Sequence, residues 1–344
     1  MKPRARPHRV LVVRNDKLGD LVLALPVFAL LRRALPDVEL CALVPAYTAE
    51  IAALAPGVDR VLLDPGPERR EGRAGELAAA WRAERFDLLL AVFSTTRIGL
   101  AAWRAGIPWR VGPATKLARI FYDDGVVQRR SRSEKPEFEY DLDLARHVLR
   151  RLGLPADGPL QRPVLSFPAA EVAERRTRLA GELGLDPARP LVFLHAGSGG
   201  SANNLTPAQY TTFANAVGPS AHQFVLTAGP GEVERTRALA STIHAAPAAV
   251  YESRRGLADF ARVIATADVF VGGSTGPLHL AGALNRPTVG FYPRRATSSP
   301  LRWCTLAADD RRLAYAPPEP AHERDMSAVD PIQAARELRE RFLS

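Results

Sequence analysis

The chain has little cysteine and no long apolar run at its start. Its two cysteines, Cys41 and Cys304, are far apart in 344 residues and form neither a disulfide framework nor a metal-binding spacing. The apolar stretch 21–31 has 11 residues, contains Pro26 and is too short to cross a bilayer. A reducing compartment and a cytoplasmic location are therefore expected.

Two common binding signatures are also missing. The turn after the first predicted strand, 15–20, reads NDKLGD and lacks the spaced glycines of GxGxxG, which argues against a nicotinamide-dependent dehydrogenase. No acidic motif of the DxD kind stands in a plausible site. We interpret the acidic pairs Asp123-Asp124 and Asp309-Asp310 as surface residues. We therefore expect neither a metal site nor a cofactor.

Positive charge is in excess, with 46 Lys and Arg against 37 Asp and Glu and a formal net charge of +9. Such an excess indicates an anionic partner, although genome composition also produces it. No groove-reading motif or aromatic stacking pattern is visible, so we expect no nucleic-acid partner. A basic cluster lies in 113–136, which is predicted as one long loop. Its residues Arg129, Arg130 and Arg132 form either a solvated face or a contact to acceptor phosphates.

Short apolar runs alternate with helical patterns in both halves of the chain, which predicts the α/β class with parallel sheets. The segment 154–169 is rich in proline and glycine and is interpreted as a linker. We therefore predict two doubly wound, Rossmann-like domains, 1–165 and 166–329, that face each other across a cleft. A charged amphipathic helix follows, with Asp330 as its N-cap and Pro331 at its first position.

A glycine-rich turn follows a buried strand near the end of the second half. The sequence GGSTG, 272–276, stands between the strand and a short helix, where free backbone N–H groups and hydroxyls bind phosphate well. His279 lies three residues into that helix and is expected to point back toward the turn. Alternatively, the glycines only permit a tight turn and His279 is a core residue.

A second polar turn, 15–20, lies at the carboxyl end of the first predicted strand, where ligands bind in such sheets. Asp20 is predicted as the first residue or the N-cap of the next helix. Its carboxylate either caps that helix or faces the cleft as a general base.

Three segments together resemble glycosyltransferase family 9, the bacterial heptosyltransferases that build the lipopolysaccharide inner core. They are 14–26 (RNDKLGDLVLALP), 195–209 (HAGSGGSANNLTPAQ) and 274–290 (STGPLHLAGALNRPTVG). The resemblance implies a GT-B fold, with the acceptor mainly on the first domain and a nucleotide sugar mainly on the second. It also implies inverting transfer without a metal, and a last segment, 330–344, that packs back on the first domain.

The resemblance also implies roles for individual residues. The family's base corresponds to Asp20, and the acid that contacts the nucleoside ribose corresponds to Glu232. The proposed donor contacts are Ser274, Thr275, Gly276, His279, Glu232, Ser198, Asn203 and Lys17. The proposed acceptor contacts are Arg129, Arg130 and Arg132.

Two departures from the family pattern affect the donor. The family often has a lysine in the 203–204 region facing the donor phosphates, where this chain has Asn203 and Asn204; Lys17 is the first candidate to supply the missing charge. Ser274 stands where heptosyltransferases often have an aspartate that contacts the sugar. ADP-heptose is the expected donor, and another nucleotide sugar stays open.

The expected function is transfer of a sugar, heptose first, from a nucleotide sugar to a lipopolysaccharide core or another anionic surface glycan. Peripheral contact with the inner face of the cytoplasmic membrane is expected with it. Two alternatives stay open. One is a nucleotide-sugar-processing enzyme of the same fold, such as an epimerase, and the other is a degenerate relative that binds a nucleotide or glycan without catalysis.

Overall fold

The computed structural model describes residues 4–197, 203–219 and 221–343. The chain divides into two units, Met1–Val164 and Leu165–Ser344, and each has its own parallel sheet. No helix in these described ranges is long and apolar enough to cross a membrane.

The first unit contains a parallel sheet of six strands. They are β1 (Arg9–Val13), β2 (Glu39–Pro45), β3 (Arg60–Asp64), β4 (Leu88–Ala91), β5 (Trp109–Pro113) and β6 (Asp124–Val126). The helices are α1 (Leu18–Ala34), α2 (Ala49–Leu54), α3 (Ala74–Glu84), α4 (Thr96–Ala105) and α5 (Glu137–Arg151). The strand order β3-β2-β1-β4-β5-β6 reverses direction between β1 and β4, which opens a crevice at the carboxyl ends of these strands.

The second unit repeats this topology. Its strands are β7 (Leu191–His195), β8 (Gln223–Ala228), β9 (Ala248–Glu252), β10 (Val269–Gly273), β11 (Thr288–Phe291) and β12 (Arg312–Tyr315). Its helices are α6 (Ala169–Leu183), α7 (Pro207–Val217), α8 (Val233–Ala240), α9 (Gly256–Ile264), α10 (Gly276–Ala283) and α11 (Pro331–Phe342). The order β9-β8-β7-β10-β11-β12 matches that of the first sheet, so its crevice lies between β7 and β10.

Both sheets are covered by helices on their two faces, so their central strands are mainly apolar. All four residues of 10–13 in β1 and all of 191–193 in β7 have no exposed surface. This burial explains why continuous apolar runs, rather than alternating ones, marked the strands in the sequence. The predicted α/β class with doubly wound sheets is confirmed.

The prediction of one long loop over 113–136 is wrong. The segment contains β6 and two 3₁₀ helices, Leu117–Phe121 and Arg130–Arg132. β6 has three residues, and it is held by pairing with β5 and by a 2.8 Å hydrogen bond from Trp109 Nε1 to Asp124. A pattern of three residues is too short to indicate a strand in the sequence, because tertiary pairing decides it.

The last helix, α11, contributes to the core of the second unit. Asp330 caps it by accepting from the backbone N–H groups of Ile332 and Gln333, as predicted, and Pro331 is its first residue. Its apolar face, formed by Ala334, Ala335 and Leu338, is fully buried in a cluster shared with α7. The expected packing of this segment against the first domain stays a prediction.

The packing of α11 leads to a prediction about stability. Leu338→Ala should lower the free energy of unfolding by about 2–4 kcal/mol, because it removes buried methyl groups and leaves a cavity. Chemical denaturation of the full chain measures this change. Ile332→Ala is the matched control: Ile332 lies on the same helix but is 58% exposed, so its replacement should cost much less. Equal losses in the two variants would contradict the buried packing of α11.

Candidate functional site

Asp20 lies at the carboxyl end of β1, in the first turn of α1. The helix begins at Leu18 with Lys17 as its N-cap, so Asp20 is its third residue rather than the first residue or the cap. The N-cap residue is Lys17, and its side chain makes no capping hydrogen bond. The simpler explanation of Asp20 as a helix cap is therefore wrong, and its carboxylate is directed elsewhere.

The partner of Asp20 is the buried guanidinium of Arg14, which directly follows β1. Arg14 Nη2 donates to Asp20 Oδ1 at 2.7 Å, and Nε lies 3.0 Å from Asp16 Oδ1. Two acidic residues of α5 complete its surroundings, with Nη1 3.4 Å from Asp141 and Nη2 3.7 Å from Glu137. Arg14 is 1% exposed, so a single buried cation orients four carboxyl groups from three parts of the first unit.

Arg130 joins the same cluster from the basic segment. Its guanidinium pairs with Glu137 and lies 3.0 Å from Asp141, over the ring of Tyr140. Arg130 was predicted to contact the acceptor, but its guanidinium is committed to these two acids. Arg129 and Arg132 are exposed, with Arg132 3.6 Å from Glu134.

The cluster contains four carboxyl groups and only two guanidinium groups. Because negative charge is in excess, the carboxyl groups tend to keep their protons. Burial raises the pKa of Asp16 to about 7 and that of Asp141 to about 6, against the opposing charge of Arg14. Burial also raises the pKa of Asp20, with Arg14 opposing the shift and Glu137 adding to it. Asp20 and Asp16 keep 18% and 15% of their side chains exposed, so a solute can reach either one. A reachable carboxylate with a raised pKa is suited to accept a proton.

In the second unit, the glycine-rich turn joins β10 to α10. Gly272 and Gly273 permit a close approach, because a Cβ on Gly273 would lie 2.6 Å from Asn204 Oδ1 and one on Gly272 2.9 Å from the His195 carbonyl oxygen. Thr275 is the N-cap of α10, but its hydroxyl donates back to the Gly273 carbonyl at 3.3 Å and does not cap the helix. The first N–H groups of α10 therefore lack a side-chain cap, and they are available to an anion with Ser274 and Gly276 beside them.

His279 lies in the first turn of α10 and is 2% exposed. Burial lowers its pKa to about 4, so the imidazole is neutral at pH 7. Its Nδ1 is buried and has no hydrogen-bond partner in the part of the chain that the structure describes. The ring centroid lies 6.2 Å from that of Trp303. His279 can therefore donate or accept a hydrogen bond at the turn, but it brings no positive charge.

Glu232 lies in the turn after β8, a strand that is two positions from β10 in the sheet. Its carboxylate accepts from the backbone N–H of Gly229 at 3.0 Å, and a Cβ on Gly197 would lie 2.4 Å from it. Because β7 lies between β8 and β10, the carboxyl ends of β8 and β10 are two strand spacings, about 10 Å, apart. This separation suits the length of a nucleoside diphosphate, with its ribose at one end and its phosphates at the other.

Asn203 and Asn204, which stand where the resemblance predicts a lysine, have different surroundings. Asn204 donates to the Ala196 carbonyl at 3.0 Å and accepts from Leu205 N at 2.9 Å and from the Tyr210 hydroxyl at 2.6 Å. Its amide is thus occupied in holding the loop after β7. Asn203 is exposed, as is Lys17 at the start of α1. Ser198, also predicted to contact the donor, lies outside the described residues.

Sequence reasoning missed Arg14, Glu137 and Asp141. The available signal was on α5, where Glu137 and Asp141 are one turn apart and continue the stripe that Leu144 and Val148 form in the core. An acidic pair in an apolar stripe indicates a buried partner. In the described ranges, no group of three His, Cys, Asp or Glu residues could hold a metal ion.

Sequence comparison relates this chain to glycosyltransferases. The sequence pattern described as Glycosyltransferase family 9 (heptosyltransferase) matches residues 75–329. A Haemophilus influenzae protein with a provisional description as a glycosyltransferase is 42% identical over 312 residues, which cover 90% of each chain. Lipopolysaccharide heptosyltransferase 2 of Escherichia coli K12 is 22% identical over 292 residues, 83% of this chain and 82% of that protein.

Solved structures share the fold. Escherichia coli ADP-heptose lipopolysaccharide heptosyltransferase II superposes with a TM-score of 0.76 at 20% identity, covering 97% of this chain and 98% of that one. An E. coli heptosyltransferase solved with ADP gives a TM-score of 0.72 at 20% identity, covering 97% and 99%. These matches show a GT-B-like fold. Because the family pattern and the Haemophilus relative each cover most of the sequence, this chain is a glycosyltransferase and belongs to glycosyltransferase family 9, the heptosyltransferase family.

Proposed function

We propose that this enzyme transfers a sugar from a nucleoside diphosphate sugar to a hydroxyl of a lipopolysaccharide core or a related surface glycan. Heptose is the proposed sugar and ADP-heptose the proposed donor, in line with the names of the E. coli relatives. We propose that transfer inverts the anomeric centre and needs no metal. The observation that carries the proposal is the reachable, raised-pKa carboxylate of Asp20 beside Arg14.

In the proposed reaction, Asp20 is the general base. It takes the proton from the acceptor hydroxyl while that oxygen bonds to the anomeric carbon. The bond from the anomeric carbon to the diphosphate oxygen breaks in the same displacement, which inverts the centre. Arg14 holds Asp20 by a 2.7 Å hydrogen bond, so the base has a fixed orientation before substrate binds.

The proposed donor site lies in the second unit. The start of α10, with Ser274, Thr275 and Gly276, receives the diphosphate and stabilises the negative charge that develops on the leaving group. Glu232 accepts hydrogen bonds from the ribose hydroxyls, and neutral His279 contacts the phosphates or the sugar. Asn203 and Ser198 remain proposed donor contacts, and Lys17 is the proposed source of positive charge in place of the family's lysine.

The proposed acceptor is an anionic molecule of the membrane. The enzyme binds it from the cytoplasmic side. Exposed Arg129 and Arg132 support acceptor contact, whereas Arg130 has its partners inside the cluster. No observation here favours an epimerase, and Asn204 has a structural explanation, which weakens the case for a degenerate, non-catalytic relative.

Asp20→Asn should lower kcat by about 10²- to 10⁴-fold, because the amide cannot accept the proton. Nucleotide affinity, measured by calorimetry, should stay as in the wild type. Asp16→Asn is the matched control, since Asp16 contacts the same guanidinium and is exposed to a similar extent. It should keep kcat within about tenfold. A larger loss in Asp16→Asn than in Asp20→Asn would make Asp16 the base instead.

The pH profile should depend on Glu137. A general base must be ionised, so kcat/KM should fall as pH drops through the raised pKa of Asp20. The negative charge of Glu137 adds to that raised pKa, so Glu137→Gln lowers it and should move the acid limb to lower pH. Initial rates from about pH 5 to about pH 9 measure the shift. Glu139→Gln, on the same helix but paired with Arg146 at 2.6 Å, should leave the limb in place. An unmoved limb in Glu137→Gln would remove Asp20 as the titrating base.

Donor binding should be independent of metal and specific for ADP. Calorimetry of the purified chain against ADP, UDP, GDP, CMP and TDP, with and without Mg²⁺, tests both expectations. Thr275→Val and His279→Ala should weaken ADP binding, whereas Thr212→Val should not, because the exposed Thr212 donates its hydroxyl to the Ala208 carbonyl within α7. A preference for another nucleotide would show that the donor is a sugar of that nucleotide rather than ADP-heptose. No nucleotide binding at all would favour the degenerate relative.

A further inference from the structure

The most exposed large apolar side chains of the described residues are close together in sequence. Leu117, Ile120 and Val127 are 78%, 72% and 70% exposed, and Trp103 is 56% exposed. Leu117 and Ile120 lie in the 3₁₀ helix that comes after β5, and Val127 directly follows β6, so all three come after the carboxyl ends of strands of the first sheet. Water contact at so many apolar atoms in one short segment is unfavourable and points to a partner.

The 3₁₀ helix Leu117–Phe121 presents two of these side chains together. Residues three apart eclipse in a 3₁₀ helix, so Leu117 and Ile120 project from the same face. Between them, Ala118 is only 1% exposed and anchors the helix. The helix packs tightly on α4, because a Cβ on Gly99 would lie 3.1 Å from the Phe121 ring. The two apolar side chains therefore stand out from a fixed base.

Cations adjoin these apolar residues in the sequence. Lys116 and Arg119 directly precede Leu117 and Ile120, are exposed, and form no ion pair with any residue that the structure describes, and the exposed Arg129 lies shortly after β6. The nearest acids are already neutralised: Asp123 pairs with Arg110 at 2.9 Å, and Asp124 pairs with Arg151. The segment thus combines exposed apolar groups with uncompensated positive charge.

This combination of exposed apolar and basic side chains favours a lipid surface over a protein partner. Protein interfaces are depleted in lysine, whereas anionic membranes attract lysine and arginine, and tryptophan is enriched at the membrane–water boundary. Trp103, whose ring centroid lies 6.4 Å from that of Phe121, borders the apolar face. β5 is two strands from β1 in the sheet, so its carboxyl end is about 10 Å from the end of the strand that precedes Asp20.

We propose that the 3₁₀ helix Leu117–Phe121 docks the enzyme on an anionic phospholipid bilayer. Leu117 and Ile120 enter the interfacial layer while Lys116 and Arg119 contact lipid phosphates. This surface differs from the 129–132 segment, of which Arg130 faces inward. The inference rests on the proposed function in one respect: docking on a membrane brings the enzyme to an acceptor that lies in that membrane.

The test is co-sedimentation of the full chain with vesicles of about three parts phosphatidylcholine to one part phosphatidylglycerol. The double variant Leu117→Ser with Ile120→Ser should lose at least about tenfold in partitioning. The matched control, Leu63→Ser with Ile332→Ser, removes two exposed apolar side chains elsewhere and should bind as the wild type does. Lys116→Glu with Arg119→Glu should also reduce binding and flatten its dependence on salt. All three variants should keep the Tm of the wild type.

Several outcomes would overturn the proposal. They are equal vesicle binding by the wild type and the Leu117→Ser, Ile120→Ser variant, absence of wild-type binding at low salt, and equal binding to vesicles of pure phosphatidylcholine. A wild-type dimer that becomes a monomer in this variant would assign the surface to a second copy of the chain. ADP affinity, measured on the same preparations, separates the two proposals. Vesicle binding without ADP binding would refute the proposed donor alone, and the reverse would refute the docking surface alone.

Discussion

The buried guanidinium of Arg14 is the interaction on which the candidate site depends. A cation with 1% exposure at the end of β1 needs negative partners, because an unpaired buried charge costs several kcal/mol. The chain supplies them from the loop after β1, from α1 and from α5, so the charge requirement ties these parts together. The acids exceed the guanidinium groups in number, and the same arrangement therefore orients Asp20 and raises its pKa.

The two units share one topology, but the side chains at the carboxyl ends of their central strands differ in charge. In the first, the carboxyl ends of the central strands carry buried ionic groups around Arg14. In the second, His279 beside the turn between β10 and α10 is neutral, with a pKa lowered to about 4, and the Asn204 amide is occupied by backbone and a tyrosine hydroxyl, while the carboxylate of Glu232 lies two strands away. Backbone N–H groups at the start of α10 are what that edge offers to an anion. The proposed proton acceptor in the first unit and the proposed anion site in the second are two parts that glycosyl transfer from a nucleotide sugar requires.

Tertiary structure also separates the basic segment into two kinds of residue. Arg130 turns inward and pairs with Glu137 and Asp141, which balances part of the acidic excess. Lys116 and Arg119 stay outside, next to apolar side chains that find no cover within the first unit. All of these residues count equally toward the net charge. Their burial differs, however, so Arg130 stabilises the acidic cluster whereas Lys116 and Arg119 remain accessible to a partner.

The sequence by itself determined the fold class and family of this protein. Apolar runs of strand length, separated by helical patterns, are local signals, and they predicted the parallel sheets that both units contain. The turns at 15–20 and 272–276 were recognised because glycine and polar residues interrupt apolar patterns. What only the tertiary structure decided were contacts that no local pattern records: the pairing of β6 with β5, the inward turn of Arg130, and the approach of α5 to Arg14. They depend on burial and on charge balance, and the last of them joins Arg14 to Asp141, 127 positions away in the sequence.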